Sequence, residues 1–187
     1  MSRAFVKEET LEAVQELPAK PISPHPNYLT PDGLAKLRER FAYYQARYAQ
    51  LGQRDDIGAR QEQLIVEREL RYLEQRLKSA IVVEPAVQSE DRVHFGAWVD
   101  VKDPHGTIHT FRIVGEDEAD AKIGYISWVS PLAQALLDAQ IGDFVQWRRP
   151  AGEVELEVIA IRWQPPTQLL GGQSWTIGTV HLRNVVK

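Results

Sequence analysis

The chain contains no cysteine. That absence removes disulfides, thiolate zinc sites and thiol nucleophiles together, and it suits a reducing compartment. No run of apolar residues approaches the roughly 20 needed to span a bilayer, and the start, MSRAFVKEETLEAVQEL, lacks the apolar core of a secretory signal. A cytoplasmic protein without membrane contact is therefore expected. A basic excess is also missing: the formal net charge is −4, so the chain as a whole is not built to grip phosphates. There is no GxxxxGK[ST] loop, so the acidic run Glu116–Asp120 has no triphosphate cradle to serve and reads as a solvated acidic loop. No serine lies in a GxSxG setting. The histidines, His25, His94, His105, His109 and His181, show no helical metal-ligand spacing beside a carboxylate, and structural roles are expected for them. Self-contained hydrolytic chemistry and an intrinsic cofactor or metal are not expected.

What is present is a folding composition, 43% hydrophobic and 26% charged over 187 residues, enough for one ordinary domain or two small ones. Residues 1–29 hold Pro18, Pro21, Pro24 and Pro26 behind Glu8–Leu17, a stretch able to form one loose amphipathic helix; the prolines predict an extended arm or linker. Thr30-Pro31-Asp32 is a helix start, with Thr to cap free amides, Pro suited to the first helical position and Asp complementing the dipole. Apolar residues then recur at Leu34, Leu37, Phe41, Tyr44, Tyr48 and Leu51, the spacing of a coiled-coil seam. The pattern breaks over Gly52–Gly58, read as a turn. A second stripe, Val66, Leu70, Leu73 and Leu77, continues toward Ile81. Residues 30–82 are thus expected to form an antiparallel helical hairpin of two helices, each of about 20 residues and roughly 30 Å long.

From Asp91 the texture changes to short β-rich runs at 93–101, 107–114, 124–128, 144–148 and 154–163, with turns at Asp103–Gly106 and Pro150–Glu153. One helix interrupts them after Ser130-Pro131, with Leu132, Leu136 and Leu137 as its apolar face. Residues 91–163 therefore predict an α+β domain, one helix on an antiparallel sheet. Trp98, Trp147 and Trp175 are expected to pack rather than to serve a partner. Residues 164–187 read as an appended tail. By segment, residues 32–80 carry ten basic against eight acidic residues, while residues 91–163 carry seven against twelve. The acidic half is a poor phosphate binder, and nucleic acid would meet the hairpin if anything.

Two constellations carry chemistry. Asp55 and Asp56 place adjacent carboxylates at the hairpin turn, where they serve either as hard ligands that help hold magnesium in a partner's active site or simply as turn residues bonding nearby amides. Ser130, with Pro131 after it, is placed to cap the helix that follows.

The run Phe95-Gly96-Ala97-Trp98-Val99, then Phe111–Gly115 with Asp117-Glu118, then Tyr125-Ile126-Ser127, resembles the GreA/GreB transcript elongation factors. So do Ser130–Ala133 with Ala135–Leu137, Gly142-Asp143, Pro150–Glu153, Ala160-Ile161, and, in the helical part, Arg71-Tyr72-Leu73 and Thr30–Leu37. The resemblance implies an FKBP-like C-terminal domain without isomerase activity, which docks on the β′ rim helices of bacterial RNA polymerase at the secondary channel through Trp128, Val129, Ser130 and Pro131. It also implies a hairpin tip that enters the channel and helps the polymerase bind a second Mg²⁺, so that the polymerase cleaves backtracked RNA by its own two-metal chemistry. Nucleic acid would then be met only through the elongation complex. Three departures stand out. GreB has Asp where this chain has Val129. The family's tip reads Gly-Asp, two residues, Glu-Asn, whereas Gly52 is followed here by Gln53 and only Asp55 and Asp56 remain as acids. The hairpin is several turns shorter, each turn about 5.4 Å of reach. The alternatives are a short-hairpin regulator that occupies the channel and competes with Gre factors without cleavage, a binding module like the regulators of nucleoside diphosphate kinase, and a stand-alone isomerase, which would need an apolar pocket for proline.

Overall fold

The computed structural model describes residues 17–84, 91–149 and 151–164. Residues 8–16 of the expected amphipathic stretch, Pro150 of the expected turn, and the tail from 165 onward with Ser174, Trp175 and His181 lie outside the described residues. The chain divides between Val83 and Glu84 into two compact units. Among the described residues no helix is long and apolar enough to cross a membrane.

The first unit is the expected hairpin, α1 (Pro31–Leu51) and α2 (Ile57–Lys78). Thr30 caps α1 as its residue type requires: its hydroxyl accepts a hydrogen bond from the Gly33 amide at 3.0 Å, and Pro31 occupies the first turn. The seam follows the apolar stripes in two clusters. Near the base Leu29, Leu37 and Leu73 are buried, with Leu34, Phe41, Tyr44, Tyr72 and Leu77 around them. Near the turn Leu51, Ala59 and Val66 are buried, with Tyr44 and Leu70 alongside. Tyr48 sits at the edge of the seam, 36% exposed. The second stripe does not run on to Ile81, because α2 stops at Lys78 with Ser79 as its cap. Ile81 begins a two-residue strand, β2 (Ile81–Val82), that pairs in parallel with β1 (Tyr28–Leu29).

That small ladder fixes the arm. The Ile81 amide donates to the Asn27 carbonyl at 2.9 Å and the Val83 amide to the Leu29 carbonyl at 3.0 Å. The buried Asn27 side chain donates to the Arg76 carbonyl at 2.7 Å and to Ser79 Oγ at 3.1 Å. It thereby satisfies a carbonyl that the end of α2 leaves without a helical partner.

The second unit is a five-stranded sheet, β3 (Trp98–Lys102), β4 (Ile108–Val114), β5 (Tyr125–Ser127), β6 (Phe144–Arg149) and β7 (Gly152–Arg162), in the order β5-β4-β3-β7-β6. One short helix, α3 (Pro131–Leu136), contributes Leu132, Ala133 and Leu136 to a core with Val99, Val101, Ile113, Val145, Leu156 and Val158. The pairings are antiparallel except β4 with β5, which is parallel, so the sheet is mixed. The cause lies between those strands. Single 3-10 turns at Glu116–Glu118 and Ala121–Ile123 double the chain back on itself, so that β5 restarts beside Arg112 in the same direction as β4. Gly124 makes this possible: it adopts φ +74°, and a Cβ there would lie 2.5 Å from the Thr110 carbonyl oxygen. The acidic run Glu116–Glu118 is half-buried in this connection rather than fully solvated, with the Glu118 carboxylate accepting from the Gly115 amide at 3.1 Å.

The first strand begins later than the apolar run suggests. Gly96 takes φ +89°, so Val93–Ala97 forms a bent lead-in and the ladder starts at Trp98. Of the tryptophans expected to pack, Trp98 is buried and lies edge-on to Tyr125, with the Arg112 guanidinium 5.5 Å from each ring centre. Trp147 packs against the core beside Phe111.

Leu73 is fully buried where the arm meets both helices. Leu73→Ala is expected to cost about 2–5 kcal/mol, read as a shift of the urea midpoint in far-UV circular dichroism.

Candidate functional site

The two candidate constellations lie in different units. At the hairpin turn, α1 ends with the Gly52 amide bonded to the Tyr48 carbonyl at 3.0 Å, and Gln53 and Arg54 follow in a tightened last turn. The reversal is shorter than the span Gly52–Gly58, because α2 already begins at Ile57 and contains Gly58. Asp56 is the reason. Its backbone is extended, and its Oδ1 accepts from the Ala59 amide at 2.9 Å, which makes it the N-cap of α2. Its other oxygen accepts from Arg54 Nε at 2.9 Å. The Ala59 amide first, and Arg54 after it, hold this carboxyl below its ordinary value.

Asp55 is not part of the cap. Its side chain is 89% exposed and pairs with the Arg60 guanidinium. Nearly two helical turns behind the cap, Arg47 on α1 makes two bonds of 2.7 Å to Glu62 on α2 and clasps the two helices together. The turn therefore carries two carboxylates facing two guanidiniums. A metal ion would compete with Arg60 for Asp55, and with a backbone amide and Arg54 for Asp56. Of the two, only Asp55 is free of a role in the helix. Among the described residues no group of three or more His, Asp or Glu side chains is placed to hold a metal. Ile57, at the first position of α2, is 76% exposed beside these charges.

In the second unit Trp128, Val129, Ser130 and Pro131 form one preformed loop from β5 into α3. The Trp128 amide donates to the Val114 carbonyl at 2.9 Å, and its half-buried ring packs on the core. The Val129 amide meets Ser127 Oγ at 3.4 Å, and the Ser130 amide donates to the Ser127 carbonyl at 2.9 Å. Ser130 Oγ caps α3 by accepting from the Ala133 amide at 3.3 Å. Gln134 completes the loop, its Nε2 donating to the Trp128 carbonyl at 2.7 Å. Sequence reasoning missed Gln134; its place four residues after the cap, one turn into the helix, was the available signal. Pro131 is exposed at the apex.

Among the described histidines, His109 takes part in shaping a turn. His109 Nε2 lies 3.1 Å from Asp103, whose carboxylate also accepts from the His105 and Thr107 amides at 2.9 Å each and shapes the β3–β4 turn. The bond from His109, then those from the backbone, hold the Asp103 carboxyl low. Beside this turn the sheet leaves a hollow of about 410 Å³ floored by Phe111, Trp147, Val154 and Leu156, with His109 and Arg149 on its rim. The floor of this hollow is apolar and aromatic, and its rim is polar and charged.

A hairpin with a charge-paired turn, and a small mixed sheet presenting a rigid loop, define a two-part helical-hairpin factor. A family model described as transcription elongation factor, GreA/GreB, C-terminal, matches residues 88–162. The transcription elongation factor GreA of Alkalilimnicola ehrlichii is 43% identical over 108 residues, which cover 57% of this chain and 68% of that protein. The transcription elongation factor GreB of Neisseria meningitidis serogroup B is 39% identical over 99 residues, 52% of this chain and 61% of its own length. Among solved structures, the GreA factor homolog Gfh1 of Thermus thermophilus is 26% identical and covers 74% of this chain and 99% of its own, at a TM-score of 0.36. The chain belongs to the GreA/GreB family of transcription elongation factors.

The Asp56 carboxyl is depressed, so its stabilisation of the first turn of α2 is fully present above the ordinary carboxyl value near 3.8 and is lost as pH falls through the lower folded value. The Ala59 amide resonance should titrate in that acid range in the native protein. Asp56→Asn should keep the cap and abolish the titration, whereas Asp56→Ala should speed exchange of the Ala59 amide.

Proposed function

We propose that this protein binds bacterial RNA polymerase at the secondary channel and regulates transcript elongation there, with residues 91–163 as the docking domain. Trp128, Val129, Ser130 and Pro131 meet the β′ rim helices, and the hairpin of residues 30–82 enters the channel, with the arm of residues 1–29 and the tail of residues 164–187 flanking the two parts. Family membership supports the partner, and the matched segment contains the whole docking loop. The loop is held by five hydrogen bonds before any partner arrives. Such preorganisation lowers the entropy lost on binding.

One observation bears on the mode of action. Asp56 is committed to capping α2, and Asp55 faces Arg60. Asp56, committed to the helix, is a poor donor of an oxygen ligand at about 2 Å to the polymerase's Mg²⁺, which leaves Asp55, in an exposed and therefore weak ion pair, as the single carboxylate the turn could offer. This favours occupancy of the channel, in competition with longer Gre hairpins, over stimulation of RNA cleavage. The protein brings no catalytic group of its own on this reading, and nucleic acid is approached only through the polymerase.

A stalled, backtracked elongation complex mixed with the purified protein should form a complex without shortening of the RNA 3′ end. Ser130→Ala combined with Pro131→Ala should weaken that complex by about tenfold or more, about 1.4 kcal/mol, while Asp55→Ala should leave it unchanged. Prompt shortening of the RNA, abolished by Asp55→Ala with Asp56→Ala, would instead make the protein a cleavage factor.

A further inference from the structure

The proline-bearing arm is not a free linker. From Leu17 to Leu29 it runs along the hairpin and is fastened at both of its described ends. At one end Asn27 and the β1–β2 ladder bind it to the last turn of α2, and Leu29 is fully buried against Leu37 and Leu73. At the other, Lys20 Nζ lies 2.5 Å from Glu69 Oε1 and 5.2 Å from the centre of the Tyr72 ring. The Glu69 side chain is only 9% exposed and has Arg40 of α1 at 3.7 Å as a second cation. A buried carboxylate needs a partner of opposite charge. Glu69 therefore ties the arm, α2 and α1 at one point.

These contacts fall on α2 between Glu69 and its end, and Ile57–Arg68 lie beyond them toward the turn. Twelve residues of helix make a rod of roughly 18 Å at 1.5 Å per residue. The fastened part is thicker by one further chain, whose prolines restrict its backbone and which bends at Pro24–His25, where the His25 amide donates to Ser23 Oγ at 3.3 Å.

We infer that the arm is a collar: strapped to the base of the hairpin by Asn27 and by the Lys20–Glu69 pair, it limits the length of rod that can enter a narrow channel. The part about channel entry rests on the polymerase-binding reading above. The strap itself does not. The arm thus sets insertion depth from outside the tip, and a short hairpin with a collar stops at a defined place.

The absence of native cysteine allows both parts to be tested on the full chain. First, hydrogen–deuterium exchange on the free protein should show Lys20→Glu speeding exchange of the Glu69–Lys78 amides by tenfold or more, with Lys20→Arg close to wild type. Equal protection in all three would overturn the strap. Second, an iron chelate that cuts nucleic acid and protein locally is attached at Gln53→Cys, and its cut positions in a polymerase complex are compared with and without Lys20→Glu. A deletion of residues 1–26 is added if it retains the helical circular dichroism signal. Cuts that move one or two helical turns deeper when the strap is broken support the collar, and unmoved cuts overturn it. Failure of the wild-type chain to bind polymerase would overturn the polymerase reading and the depth role with it, while the exchange result still decides the strap.

Discussion

The seam between α1 and α2 is the contact on which the first unit depends. Isolated helices of about 20 residues are marginal in water, and their stability in a protein comes from burying an apolar face. Here that face is narrow. Leu37, Leu51, Ala59, Val66 and Leu73 are the residues fully enclosed, in two clusters that meet at Tyr44. Three devices compensate for so small a core. Thr30 and Asp56 satisfy amides at the helix starts, Arg47 and Glu62 clasp the far half, and the arm closes the base by adding Leu29 to the inner cluster. Each acts at an end of the seam, where fraying would begin.

The second unit solves a different problem with similar means. Its one α-helix among the described residues, six residues long, is too short to stand by itself, so the core beneath it and the cap ahead of it must do the ordering. The bonds converging on Ser127, Trp128 and Ser130 hold the loop as firmly as the strand it leaves. A surface meant for a partner is thereby built from backbone that has already given up its freedom. Elsewhere the sheet carries a polar network, with Asp100 taking two bonds of 2.6 Å from Arg162 and one of 2.7 Å from Thr110. This pins β3 to both neighbours beside an irregularity in its register with β7.

Much of this was legible in the amino-acid order because it is written in local rules. The coiled-coil spacing of Leu34 to Leu51, the Thr-Pro and Ser-Pro helix starts and the alternating runs after Asp91 each depend on neighbours within one or two turns. What escaped depends on distant partners. Nothing around Asn27 announces that its amide will cap a helix about fifty residues later, or that Tyr28 and Leu29 will pair in parallel with Ile81 and Val82. The direction of β5 was hidden for the same reason: it is set by how two single turns double the chain back, not by any feature of Tyr125–Ser127. At the tip, both readings of Asp55 and Asp56 were open from sequence, since a turn acid and a ligand acid look alike. The three-dimensional arrangement separates the two residues, assigning one to helix architecture and turning the other outward toward Arg60.

That separation shapes how such a tip can diverge. An N-cap tolerates Ser, Thr, Asn or Asp and little else, whereas an exposed residue just outside the helix is constrained by almost nothing in the fold. Of two adjacent aspartates, one is anchored by the architecture of its own chain and the other is open to drift. Lineages that inherit this hairpin can therefore retune its charge at position 55, and at the arginine that faces it, by single substitutions that leave the rod intact.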